Sequence, residues 1–255
     1  MIPITRLDLP EATQGSLREQ TAKIAGARDR LREAHRLWQN RVVRTSILPV
    51  LRAALADMSP GIKRCMYCGD SLGTDIEHFE PVKIRPIRTF DWHNHLLACS
   101  YCNSRQKQDK FPLAADGTPL LVDPTVDDPA EHLHLALAAG VYLDLTPRGK
   151  ATIDLFDLNR GELVKGRDHA LRANRRLLRD WREAAEDDDV DAVHECLCDL
   201  REQPVAEVAL ALLQQAHSAA VTQLFARDPA TLAHLRRPET LALAAEVFTT
   251  SAADW

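Results

Sequence analysis

Two Cys-x-x-Cys pairs, Cys65-Met-Tyr-Cys68 and Cys99-Ser-Tyr-Cys102, stand thirty residues apart and constrain this 255-residue chain more than any other feature. Each pair can present two thiolates from one tight turn. Four thiolates brought together make the closed tetrahedral set that Zn²⁺ takes in structural sites. Such a site supplies folding free energy to a segment that buries too little apolar surface to fold alone. The stretch from Cys65 to Pro112, rich in turn residues and mixed in periodicity, is a segment of that kind. The other two cysteines, Cys196 and Cys198, sit two apart on a helical pattern, point to different sides and read as core thiols.

Between the pairs stand Asp75-Ile76-Glu77-His78-Phe79-Glu80-Pro81 and Trp92-His93-Asn94-His95, and the second pair runs directly into Asn103. One zinc thus gathers a histidine, two asparagines and carboxylates, which a plain zinc knuckle would not need. A histidine is the side chain whose ordinary pKa suits proton transfer near pH 7. Asp75 and Glu77 share one face of a strand and His78 takes the other. Asp75 and Glu80 are expected to be solvated at the surface.

This arrangement resembles the zinc-containing HNH endonucleases. Their pattern is a Cys-x-x-Cys pair, an acidic-His dipeptide followed by Pro, then Asn, then Cys-x-x-Cys-Asn, met here by Cys65, Cys68, Glu77-His78, Pro81, Asn94, Cys99, Cys102 and Asn103. The resemblance covers about residues 63–112 and implies a ββα-metal fold. It implies His78 as general base, Glu77 and Asn103 as ligands of a catalytic Mg²⁺ or Mn²⁺, and Asn94 as the brace that orients the base. The four cysteines would hold a structural Zn²⁺. Glu77 stands where Asp is usual, which lengthens the arm by one methylene and leaves the metal preference open. The triplet His93-Asn94-His95 does not spell the family's name, so neither histidine is assigned a role. Arg105, Lys107 and Lys110 follow Asn103 and are placed to meet a nucleic-acid backbone, DNA being the expected substrate.

A looser resemblance, carried by Ile76-Glu77-His78-Phe79, Leu121-Val122-Asp123-Pro124 and Leu158-Asn159-Arg160, is to bacterial HNH proteins of anti-phage defence. They include the nuclease subunit of Septu-type systems, and the likeness implies an ATPase partner. The rival reading is a zinc-binding module that grips nucleic acid or protein without cutting.

The rest of the chain divides by pattern into an N-terminal basic helical region (1–62), the cysteine-bounded module (63–112), a short-strand extension (113–159) and a C-terminal acidic helical region (160–255). The expected fold class is therefore mainly α with a small ββα-metal module stapled by a four-cysteine zinc site. Apolar spacing predicts two helices over 16–57 and helices from 160, near 190–201, 204–226, 229–236 and 238–250. Strands are expected at Leu120–Val122, in a hairpin around Gly140, and at Ala151–Phe156. Residues 1–112 carry net charge +6 and residues 113–255 net −11, so phosphate contacts belong to the first half and a protein partner to the second. The arginine-rich stretch from Arg160 to Arg182 is a further candidate phosphate clamp. The first residues lack a signal-peptide pattern, and no stretch approaches the roughly 20 apolar residues of a membrane span. The expectation is a cytoplasmic protein without a membrane partner.

Overall fold

Residues 1–249 are described in the computed structural model; the expected helix end at 250 and the residues after it lie outside them. Three helices open the chain: α1 (Glu11–Gly26), α2 (Arg30–Trp38) and α3 (Leu48–Met58), with a π-helical turn at Val43–Ile47 leading into α3. Asp29 caps α2, its carboxylate accepting from the Arg32 amide at 3.0 Å. Pro49 sits in the first turn of α3, where its missing N–H goes unneeded. The expected two helices are thus three, because Ala27 is extended and ends α1.

The cysteine-bounded segment holds a two-stranded antiparallel ribbon, β1 (Asp75–His78) and β2 (His95–Ala98), with His78 opposite His95 and Glu77 opposite Leu96. A second hairpin pairs β3 (Leu133–Ala136) with β4 (Val141–Asp144), as the turn at Gly140 predicts; that glycine has φ +67°. Two expected strands are absent. Ala151–Phe156 belongs to α4 (Pro147–Phe156), because Thr146 caps its start by accepting from the Gly149 amide and Pro147 opens its first turn. Leu120–Val122 lies outside any strand, and the Val122 amide donates to the Thr152 hydroxyl at 2.9 Å.

Six helices finish the described chain: α5 (Gly161–Glu186), α6 (Val190–Glu202), α7 (Glu207–Gln214), α8 (Ala219–Leu224), α9 (Pro229–Leu235) and α10 (Pro238–Thr249). The single helix expected over 204–226 is two, α7 and α8, with Ser218 capping the second. No helix among the described residues is long and apolar enough to cross a membrane. The protein is mainly helical, with two small ribbons and a buried cysteine cluster.

Two apolar clusters organise these elements. The larger draws on residues from Met1 to Phe248 and includes all four cysteines of the paired motifs. The smaller joins α1, α2, the π turn and α3 to Phe90, which comes from the long loop between β1 and β2. The C-terminal helices also reach the first cysteine turn, where the Val205 amide donates to the Gly69 carbonyl at 2.9 Å. Beside that contact Arg167 of α5 meets Glu207 of α7 at 3.2 Å with both side chains buried. Arg167 also donates to the carbonyls of Leu158 at 2.8 Å and Gly140 at 3.1 Å.

Removing one partner of a buried ion pair leaves the other charge uncompensated, which costs about 3–5 kcal/mol. Glu207→Ala is therefore expected to lower unfolding stability by about that amount in urea titrations. A loss below about 1 kcal/mol would show that Arg167 is held by its carbonyl partners alone.

Candidate functional site

The four motif cysteines are buried, reduced, and converge so that their sulfurs all lie within 4.8 Å of one another. Cys68 Sγ and Cys99 Sγ are 3.9 Å apart. A tetrahedron with Zn–S bonds of about 2.3 Å has edges of about 3.8 Å, so the set fits a structural zinc ion. Local geometry explains the convergence. The Gly69 amide closes the first turn on the Cys65 carbonyl at 2.9 Å, and Gly69 takes φ +67°, a conformation that glycine adopts without strain. The Met66 amide then donates to the Leu97 carbonyl at 2.9 Å, tying this turn to β2 just before Cys99. Hydrogen bonding with Cys102, Cys65 and Cys99 drives the Cys68 thiol far below its usual pKa. Arg160 lies over the Tyr101 ring at 4.3 Å, and against the opposing effect of burial the neighbouring Cys68 charge raises its pKa. It offers a positive charge to a site that four thiolates and one Zn²⁺ would leave negative.

On the ribbon, His78 is half-buried, and its imidazole Nε2 lies 3.0 Å from the Thr89 carbonyl oxygen. A carbonyl can only accept, so Nε2 carries the proton and Nδ1 is left as the basic nitrogen. None of the hydrogen bonds among the described residues occupies that Nδ1. Burial, opposed by the Thr89 hydrogen bond and aided by the charges of Lys107 and His35, lowers the His78 pKa to about 4. The His78 imidazole is therefore neutral at physiological pH. The ring packs edge-on against Trp38 at 4.6 Å and against His95 at 5.0 Å. His95, to which the sequence reading assigned no role, is fully buried and donates its own Nε2–H to the same Thr89 oxygen at 3.0 Å. Neither Trp38 nor His95 was marked by spacing, since Trp38 lies forty residues before His78 and reaches it only through the packing of α2.

Asn94 is completely buried. Its Oδ1 accepts from the Glu80 amide at 2.8 Å, while its Nδ2 donates to the carbonyls of Glu80 at 3.0 Å and Arg88 at 3.2 Å. It clips the two ends of the β1–β2 loop together and so sets where Thr89 stands. Glu80 is not solvated as expected but buried, pairing with Arg85 at 2.8 Å and Arg88 at 3.0 Å.

The expected cation ligands part company. Glu77 is buried, with Oε1 against the Lys107 ammonium at 2.5 Å and Oε2 accepting from the Tyr67 hydroxyl at 2.8 Å. Burial pushes its carboxyl above the usual range, with the Lys107 charge and the Lys107 and Tyr67 hydrogen bonds pulling the other way. Asn103 donates instead to Asp75 at 3.1 Å, both residues being half-buried. Glu77 and Asn103 as folded therefore do not offer a divalent ion two free oxygens. The only group of three or more His, Cys, Asp or Glu close enough to hold a metal, among the described residues, is the cysteine set.

Lys107, expected at the substrate backbone, is buried because it answers the Glu77 charge; it also donates to the His78 carbonyl at 2.7 Å. Arg105 and Lys110 are exposed. The arginines of α5 are largely committed within the protein. Arg172 pairs with Asp168, Arg179 with Asp228, Arg182 with Glu183 and Glu186, and Arg167 is buried.

Among curated proteins the chain is similar to Septu protein PtuB of Bacillus mycoides (strain KBAB4), at 26% identity over 134 residues. The match takes in 41% of this chain and 45% of that protein, so the chain spans less than half the length of this relative. No family model matches the chain, and no solved structure matches it.

Two outcomes follow from this geometry. Elemental analysis should find about one zinc per chain, and Cys99→Ser should lose it together with the order of the ribbon. Folded protein free of zinc would refute the structural-ion assignment. His78, with its folded pKa held down at about 4, binds fewer protons folded than unfolded. Its contribution to stability is full above about pH 6.5, the unfolded value, and is lost as pH falls through about 4. Urea midpoints should decline over that window, and His78→Gln should flatten the decline by up to about 1.4 kcal/mol per pH unit. An unchanged slope in the variant would place a different group behind the acid loss.

Proposed function

We propose that the chain is an HNH endonuclease that hydrolyses phosphodiester bonds in nucleic acid, with DNA as the expected substrate, and that it acts as the effector of a bacterial anti-phage defence system. The observation that carries the hydrolytic reading is the state of His78: neutral, its Nε2–H committed to the Thr89 carbonyl, its Nδ1 unoccupied. A water placed at Nδ1 gives up a proton to it as its oxygen attacks phosphorus. The bond from phosphorus to the leaving sugar oxygen then breaks, that oxygen takes a proton from a solvent water, and the His78 proton returns to solvent. A base confined by Trp38, His95 and Thr89 loses little orientational freedom when it acts. Asn94 acts through the loop it closes. Exposed Arg105 is suited to the phosphate backbone.

Mg²⁺ or Mn²⁺ is the cation that the HNH resemblance implies, and Glu77 and Asn103 are its expected ligands. Glu77 is paired with Lys107, and the proton transfer rests on His78 itself. The defence role rests on the likeness to a Septu protein. A partner ATPase and a cytoplasmic setting belong to the same proposal, as does a four-part organisation at residues 62, 112 and 159. The closure of Glu77 by Lys107 favours a second reading, a zinc module that binds nucleic acid or protein without cutting.

The deciding experiment incubates the purified protein with plasmid, linear DNA and RNA, with Mg²⁺ or Mn²⁺, beside His78→Ala. The variant should lose about 10²- to 10⁴-fold in cleavage rate, while zinc content and substrate binding stay near those of the parent. Equal cleavage by both would remove His78 from the chemistry and favour the binding module.

A further inference from the structure

Seven arginines stand between Arg28 and Arg52, with no lysine among them and with Asp29 and Glu33 as the only carboxylates. Both acids are occupied: Asp29 caps α2 through the Arg32 amide, and Glu33 pairs with Arg36 at 2.6 Å. Among the described residues none of Arg28, Arg30, Arg32, Arg41, Arg44 and Arg52 is in an ion pair, and all six are exposed. The arginines of α5 are arranged differently, since Arg172, Arg179 and Arg182 each meet a carboxylate.

Folding alone does not favour the N-terminal arrangement. Arg30 and Arg32 occupy the first turn of α2, where the positive end of the helix dipole disfavours a cation. Arg32 and Arg36 stand at i,i+4 on the same helix, where like charges repel. Like charge gathered on one surface destabilises the compact chain, and a bound polyanion relieves it. The guanidinium fork also matches phosphate oxygens two at a time, which a lysine ammonium does not.

The same surface leads to the candidate base. Trp38, the last residue of α2, is half-buried and packs edge-on against His78 at 4.6 Å. The chain turns directly after it: the Asn40 amide donates to the Leu37 carbonyl at 3.0 Å, and the Asn40 side chain accepts from the Val42 amide at 2.9 Å. Arg41 is thereby held within about 11 Å of Trp38, the reach of three residues. Arg44 follows in the π-helical turn Val43–Ile47. We propose that the exposed arginines of α2 and of this turn hold the phosphate backbone of a nucleic acid and lay it across Trp38 towards His78. Nucleic acid as the polyanion rests on the proposed function, whereas the place of the surface rests on the unpaired arginines and their path to Trp38.

The probe is a fluorescein-labelled DNA duplex of mixed sequence, bound by the full chain without added Mg²⁺ or Mn²⁺ and read by fluorescence anisotropy. Zinc content and circular dichroism check the fold. Arg41→Gln with Arg44→Gln should weaken binding about tenfold at physiological salt and lower the slope of log affinity against log salt by about 2. Arg30→Gln with Arg32→Gln, which relieves the first turn of α2, should weaken binding to the same degree with no loss of stability; it decides alone if the first pair fails to fold. Arg172→Gln with Arg179→Gln makes the same change in net charge on α5 and should leave affinity within about twofold, since distant exposed charges are screened. The surface is overturned if the parent does not bind the duplex, if neither N-terminal pair weakens binding, or if the α5 pair weakens it as much. It is overturned too if the N-terminal pairs release the protein from phosphatidylserine vesicles while the DNA affinity stays. Weakened binding in a protein that never cuts would sustain the surface while the nuclease reading fell, and cutting with unchanged affinity in the variants would do the reverse.

Discussion

The convergence of four cysteine sulfurs is the constraint on which the rest depends. The ribbon is only four residues long on each strand, too short to be stable by itself. One end of it is set by the sulfur cluster, through the backbone bond from Met66 to Leu97 and the position of Cys99 directly after β2. The other end is set by the amide of Asn94. Between these fixed ends the pleat decides everything: Glu77 faces Tyr67 and Lys107, His78 faces Trp38, and a slip of one residue would exchange the two.

Charge shapes the interior as strongly as apolar packing does. Among the described residues two ion pairs are sealed within the fold, Glu77 with Lys107 and Arg167 with Glu207. They differ in how they are surrounded. Arg167 is fixed by two backbone carbonyls and by the Tyr142 ring, 4.5 Å away, so its pair is part of the scaffold joining α5, α7 and the second hairpin. Lys107 is fixed by the His78 carbonyl, so its pair joins the Tyr101–Lys107 turn to β1.

What was legible in the sequence is what local spacing encodes. The cysteine pairs, the acidic-His dipeptide, Asn94 and the hairpin at Gly140 are each specified within a few residues, and the structure brings the cysteines together. What was not legible is long-range. Trp38 and Tyr67 reach the ribbon from other elements, and Lys107 is drawn inward by a carboxylate thirty residues earlier, where composition alone reads it as a surface cation. Glu80 is misread for the same reason, since Arg85 and Arg88 cover it. The α4 segment looks strand-like over Ala151–Phe156, but a capping threonine and a first-turn proline just before it outweigh that local preference.

The oxygen that fixes the tautomer of His78 belongs to a peptide bond. Where an imidazole is oriented by a carboxylate side chain, a single codon change can erase the partner. No substitution at position 89 removes the carbonyl that His78 and His95 share. The orientation can be lost only by moving the loop, and that loop is held by the burial of Phe90 among the N-terminal helices and by the clip at Asn94. The proton on Nε2 is thus protected against mutation at its own acceptor and exposed to mutation at a distance, in the N-terminal helices that bury Phe90.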